Sequence, residues 1–414
     1  LLIKWLIFHY NLKESRSDTP LTAFTQKYDL VTFLSVYTSD EVFKGSDELT
    51  KVVLFSVTIF MIFLSGCSIN YMPTYSSTIS KGINIGCALE APEEGEWGII
   101  IEERFFDLIV ERGFESVRLP IRWSAHTPNF PPYTIDNIFL LRVEEVVQQA
   151  LERGLKVIIN VHHFEELMIN PDAQEEKFYS IWEQITQHFK DYPDTLYFEL
   201  LNEPEGLLNT DKWNTMQLEA INRIRAINKD RWIIITGAPG GLSEALDSMQ
   251  LPEDIHRIMA TFHFYEPYLF THQGAPWLGS EFQTVGIQWP GPPEIPVIPV
   301  QAAQDIPEFA QWFEQYNTLD YAFNPAGPRP ITQELERARD WSWQTGIPIL
   351  MGEFGTYNII DEISRKNWTT FVHQKAREYG IPWLLWGFVG TFGVYDLETE
   401  EWNEAIIGNL FGTE

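Results

Sequence analysis

Two glutamates stand where short apolar runs give way to polar chain: Glu203 in LYFELLNEP and Glu353 in PILMGEFG. If both runs are strands of one closed sheet, their carboxylates come from opposite sides of a barrel and face each other across its mouth. Such a pair is the apparatus of glycoside hydrolysis. At a separation of about 5–5.5 Å one carboxylate attacks the anomeric carbon while the other protonates the leaving oxygen, and configuration is retained; at about 6.5–9.5 Å a water fits between and configuration inverts. Position along the chain leaves that choice open. The acid needs a pKa raised by burial and a neighbouring carboxylate, whereas a nucleophile stays ionised with help from arginine and hydroxyl donors. Supporting groups stand at the ends of other apolar runs: Arg118, His162, His163, Asn202, His263, Tyr265 and Trp386. Any one alone has a structural explanation, as a strand-end ion pair, a satisfied histidine or a helix cap; their shared position at strand ends is what points to a site. Asn202 could hydrogen-bond a sugar 2-hydroxyl, Arg118 and Tyr265 would keep a carboxylate charged, and the histidines could donate to hydroxyls. Trp386 and Trp277 offer flat faces on which a pyranose can stack, although a chain with 15 Trp uses many of them for packing.

The elements that must position these groups are legible as alternation. Short apolar runs near residues 82–85, 116–119, 156–161, 196–201, 232–236, 258–262, 348–352 and 382–386 predict eight strands. Amphipathic stretches at 101–112, 135–153, 175–190, 212–228, 333–343 and 361–379 predict helices between most of them. This α/β repetition fits a (β/α)8 TIM barrel; an open doubly wound sheet is the competitor, and its glycine-rich fingerprint is missing. Between the sixth and seventh strands lies a long Pro-rich insertion, residues 266–329, with nine of the 25 Pro falling between Pro290 and Pro330. Proline withholds a backbone donor, so the expectation is partly extended, polyproline-like chain serving as a lid or subsite wall.

Asn202-Glu203-Pro204, the GEFG around Glu353, Arg118 in VRLPIRW, His162 in NVHH, His263 and Tyr265 in HFY, and Trp386 in LLWGF together resemble glycoside hydrolase family 5, retaining β-glycanases built on (β/α)8 barrels. The resemblance implies Glu203 as acid/base and Glu353 as nucleophile. GINIGCALEAPEEGEWG, FPPY, HHFEELM and FTHQGAPW are similar to one branch known for bacterial endoglucanases, some of which also cleave mannans, and the similarity spans residues 81–411. It further implies that Glu90, His163, His272 and Trp277 line sugar subsites. Cys87 stands where the family often has Asn, and a thiol is the weaker hydrogen-bond partner. The reading implied is an endo-β-1,4-glucanase acting on plant cell-wall polysaccharide, with β-mannanase or mixed-linkage glucanase as the alternative and no cofactor.

Two other classes compete. A metal hydrolase could use His162, His163, His263 and Glu353, but adjacent histidines on a strand point to opposite sides and no His-Glu-x-x-His helix occurs. A non-catalytic polysaccharide-binding barrel has no need of paired carboxylates, and both Glu203 and Glu353 are present.

The chain as a whole sets outer bounds. It has 414 residues, 44% of them hydrophobic and 14% aromatic, so it carries enough apolar surface for a large core. A formal charge of -29, from 29 basic and 58 acidic residues, disfavours nucleic acid and suits a neutral polymer. The two cysteines, Cys67 and Cys87, provide no disulfide framework. Residues 51–67, KVVLFSVTIFMIFLSGC, join a basic residue, an apolar run and Leu-Ser-Gly-Cys; they resemble a bacterial lipoprotein signal in which Cys67 takes the lipid. A buried helix is the alternative reading. The expected organisation is a doubtful extension over 1–50, this signal over 51–67, a polar tether over 68–80 and a catalytic domain over 81–414, giving a monomeric secreted or cell-surface protein whose only membrane contact is the anchor. Leu1 is not Met, which suggests an uncertain start assignment.

Overall fold

The computed structural model describes residues 79–411. Branched apolar runs such as Val157-Ile158-Ile159 and Ile233-Ile234-Ile235 suit strands covered on both faces, and they form them. The eight barrel strands are β1 (Gly82–Asn84), β2 (Ser116–Leu119), β3 (Lys156–Asn160), β4 (Leu196–Glu199), β5 (Trp232–Thr236), β6 (Ile258–Phe264), β7 (Ile349–Phe354) and β8 (Trp383–Leu385). Each pairs in parallel with the next, and β8 returns to β1, so the barrel is closed. Helices cover its outside. In Glu103–Arg112 the apolar residues Phe105, Phe106 and Ile109 share the buried face, and Gly113 ends the helix at φ 101°, a conformation that costs glycine little.

Strand side chains alternate between barrel interior and helix layer, so every second residue points inward. The lower inward layer is apolar. Ile158, Tyr197, Ile234, Met259, Leu350 and Leu384 form a buried cluster with Ile79, which precedes β1. Two residues further along their strands come Asn160, Glu199, Thr236 and Thr261, joined by Asn84 of β1 and Arg118 of β2, all buried. The upper layer is therefore a polar floor beneath the C-terminal mouth.

Two sequence expectations shift. Arg118 lies within β2, whose bounds are those predicted, but β6 and β7 extend far enough to contain His263 and Glu353, which the sequence places after those strands. The reason is a slip in register: Phe262 pairs with Met351 but His263 pairs with Glu353, leaving Gly352 as the extra residue. With Leu350 inward, strict alternation would send Glu353 outward; the bulge turns it to the mouth. Glycine is required there, because a Cβ on Gly352 would lie 2.4 Å from Thr261 Oγ1.

The insertion is folded rather than extended throughout. Helices span Gln301–Gln304 and Pro307–Thr318, and the helix expected from residue 333 starts at Pro328 and runs to Thr345. Pro307 and Pro328 open their helices, where a missing N–H costs nothing. Phe313 and Tyr316 are buried within the insertion, Tyr316 Oη accepts from the Gln288 N–H, and Trp289 packs on Phe371 of the helix Glu362–Glu378 at 5.4 Å between ring centroids. The backbone N–H of Trp289 also donates to Ser364 Oγ. These contacts buttress the barrel wall, and the segment around Trp277 is the part that reaches the mouth, beside Tyr357 and Phe392.

The expected signal, with Cys67, and residues 68–78 of the expected tether lie outside the described residues. Ile79 and Ser80 belong to the barrel: Ile79 is buried and Ser80 Oγ donates to Glu115 at 2.5 Å. Among the described residues, no helix is long and apolar enough to cross a membrane.

Candidate active site

β7 delivers Glu353, and the turn after β4 delivers Glu203, whose backbone sits at φ 38°, in the left-handed region that non-glycine residues seldom adopt. One carboxylate oxygen from each and a nitrogen of His263 all lie within 4.8 Å of one another. That spacing belongs to the retaining geometry and leaves too little room for the water an inverting reaction places between the acids. Glu353 is buried, while the Glu203 side chain is 40% exposed and can meet a leaving group that enters from solvent.

The surroundings of the two acids differ. Glu353 accepts from Arg118 Nη1 at 2.6 Å and from the Tyr265 hydroxyl at 2.7 Å. Glu203 contacts His263 Nδ1 at 2.6 Å, and the same nitrogen is 3.6 Å from Glu353. Burial pushes the Glu353 carboxyl above its ordinary range, with the charges of His263 and Arg118 opposing. Burial raises Glu203 as well, but its hydrogen bond with His263 and the His263 charge draw it below that range. His263 itself is raised: burial lowers it, and the charges of Glu353 and Glu203 more than compensate. The three groups thus titrate as a unit. These directions place the shared proton on His263 and leave Glu203 a carboxylate, the reverse of the raised acid expected from the sequence, so Glu203 becomes an acid only by taking that proton from His263, while Arg118 and Tyr265 favour the ionised form of Glu353. Tyr265, held well above its usual pKa by burial and by both carboxylates, remains a donor.

The other sequence-predicted groups gather around this trio. Asn202 Oδ1 accepts from Arg118 Nη2 at 2.9 Å, which fixes the amide and turns its Nδ2 away from the arginine. His162 lies parallel to Trp386, with ring centroids 5.8 Å apart and an interplanar angle of 2°. Its Nδ1 takes a hydrogen bond from Asn160 Nδ2, leaving Nε2–H as the outward donor, and burial holds it well below the normal imidazole pKa, so it stays neutral.

A family model for cellulase, glycosyl hydrolase family 5, matches residues 78–390. The chain belongs to glycosyl hydrolase family 5. Curated relatives include endoglucanase A of Ruminococcus albus, 34% identical and covering 80% of this chain and 90% of the relative. Endoglucanase H of Acetivibrio thermocellus is 32% identical over 80% of this chain. The chain spans 33% of that protein's length, and 37% of the cellulase/esterase CelE of the same organism. Among solved structures, the endoglucanase Cel5A of Thermotoga maritima is 40% identical with a TM-score of 0.70, covering 80% of this chain and 97% of its own.

Within the family 5 barrel the four subsite residues implied by resemblance fall differently. Glu90 is buried, accepts from the backbone N–H groups of Cys87 and Ala88, and is pushed up to about 7 by burial. It borders Trp386, since a Cβ on the intervening Gly86 would touch both. His163 is half-buried at the rim, and Trp277 is 51% exposed at the mouth. His272 is buried, stacked on Tyr268 at 4.0 Å and edge-on to Tyr265 at 4.9 Å, so its ring supports Tyr265 close to Glu203. Cys87 adopts φ 64°, a conformation that Asn tolerates better than most residues, which gives the family's common Asn a backbone reason.

The trio of Glu203, His263 and Glu353 has the compactness of a metal site. A fixed guanidinium 2.6 Å from Glu353 opposes a cation there and favours a carboxylate that acts on its own. Sequence reasoning missed Glu199, Asn84 and Asn160, which lie inside apolar strand runs, and Trp97, whose ring is 44% exposed and edge-on to His163 at 5.7 Å. A polar residue at an inward position of a covered strand was the available signal for the first three.

Proposed function

We propose that this chain is a retaining endo-β-1,4-glucanase that cleaves β-linked cell-wall polysaccharide by double displacement, with Glu353 as nucleophile and Glu203 as acid/base. The observation that carries the reading is the convergence of Glu203, His263 and Glu353 within 4.8 Å at the barrel mouth. In the first step a Glu353 oxygen bonds to the anomeric carbon as the glycosidic C–O bond breaks, and the Glu203 proton goes to the departing oxygen. In the second, Glu203 takes a proton from water, whose oxygen bonds to the anomeric carbon as the bond to Glu353 breaks. In this reading Asn202 Nδ2 hydrogen-bonds the sugar 2-hydroxyl and Trp386 stacks against the ring, supported by the Asn202 Oδ1 bond from Arg118, which leaves Nδ2 free to donate.

Glu353→Ala and Glu203→Ala should each reduce turnover of soluble β-glucan by at least about 10³-fold, since each removes a group that forms or breaks a bond. Azide should partly restore turnover of an activated aryl glycoside in Glu203→Ala and give the β-glycosyl azide, because the anion attacks the anomeric carbon of the Glu353 ester directly and needs no base to deprotonate it. Wild-type rates in either variant would end the proposal. Mannan is the second reading, supported by the 39% identical Thermotoga maritima Cel5A, whose structures include a mannotriose complex. A mixed-linkage glucan would need no change of mechanism. Initial rates on cellulose, mannan, xylan and lichenan decide among them.

A further inference from the structure

Arg118 is fully buried, and its guanidinium is divided among four partners. Nε and Nη2 donate to the two oxygens of Glu199, each at 2.7 Å. Nη1 donates to Glu353 at 2.6 Å and to Asn84 Oδ1 at 2.9 Å, and Nη2 also reaches Asn202. Two buried carboxylates thus share one fixed cation. Only one of them meets substrate: Glu199 ends β4 in the polar floor and is 1% exposed. We propose that Glu199 is a positioning residue that takes a fixed part of the Arg118 charge and so sets how basic, and how nucleophilic, Glu353 is. The inference rests on Glu353 being the nucleophile.

The chemistry favours this over a purely structural ion pair. An arginine facing Glu353 alone would make it a strong acid and a poor nucleophile. The bidentate pair with Glu199 holds the guanidinium plane still, aims one N–H at Glu353, and cancels much of the positive field. The groups that face Glu353 are Arg118 from β2, Glu203 from the turn after β4, His263 and Tyr265 from β6 and its end, and Glu90 from the loop after β1. His162, after β3, is held neutral beside Arg118. Within this set Glu199 acts on Glu353 through the arginine they share.

The test is the pH profile of kcat/KM on an aryl β-cellobioside for the wild type, Glu199→Gln and Glu199→Asp, with melting temperature read alongside. Glu199→Gln removes the negative charge and keeps the shape, so the acid limb should move down by roughly 1–2 pH units, the size expected for one charge lost at this range. Its plateau should fall because the nucleophile is weaker. Glu199→Asp keeps the charge but draws it back by one methylene, so its limb should move the same way by less. A folded Glu199→Gln enzyme whose limb coincides with the wild type, with activity lowered equally at all pH values, would overturn the inference. If Glu199→Gln does not fold, Glu199→Asp decides: a limb at the wild-type position overturns it. A wild-type enzyme inactive on the glycoside, or an active Glu353→Ala, would instead remove the functional reading beneath it.

Discussion

At the scale of single residues, Glu353 is held between opposed influences. Burial raises its pKa while Arg118, His263 and the Tyr265 hydroxyl favour the ionised form. Activity needs that form, so kcat/KM should fall as pH drops through the Glu353 pKa, at a limb above the ordinary glutamate value of about 4.3. Tyr265→Phe removes a donor that stabilises the carboxylate. Its acid limb should therefore move up, and kcat should drop by roughly 10²-fold, as for loss of one preorganised donor. A limb that moves down in the pH profile of this variant would contradict the role given to the hydroxyl. The identities of Glu203, Glu353, Arg118 and Tyr265 were legible because each breaks an apolar run at its end or carries a motif. Glu199 was not: FELL reads as one continuous buried strand, and only the closed barrel shows its carboxylate meeting Arg118 from β2.

At the scale of elements, the site depends on where strands change register. Eight strands and most helices follow from two periodicities, and their order was readable. The bulge at Gly352 that turns Glu353 to the mouth was not, because no hydrophobic pattern marks it. Gly352→Ala places a methyl against Thr261 Oγ1, so it should destabilise the fold by roughly 1–3 kcal/mol and displace Glu353. Adding Thr261→Ala removes the obstructing oxygen and should recover part of both melting temperature and kcat; a single variant with wild-type values would show that the close approach is unimportant. The insertion misled for a different reason. Its prolines read as breakers, but Pro307 and Pro328 sit in first helical turns, and burial of Phe313, Tyr316 and Trp289 supplies the core that makes those helices stable.

At the scale of the whole molecule, a polar floor on an apolar plug explains how one barrel keeps Arg118, Glu199 and Glu353 in a fixed arrangement. We further propose that the chain is exported and held at the cell surface through Cys67, a reading supported by the basic, apolar and Leu-Ser-Gly-Cys pattern of residues 51–67. Mass spectrometry of the protein from a bacterial membrane fraction should find a diacylglyceryl-modified Cys67 at a new N-terminus, and Cys67→Ala should leave the apolar segment uncleaved. An unmodified Cys67 in an intact chain would remove that proposal without touching the barrel chemistry.

The central claim is that Glu203 and Glu353 act on one acetal at a spacing too short for an intervening water. Proton NMR of a cellooligosaccharide digest, read before mutarotation, tests it most directly. The β-anomer of the new reducing end should appear first and the α-anomer only later; an α-anomer formed first would contradict the account.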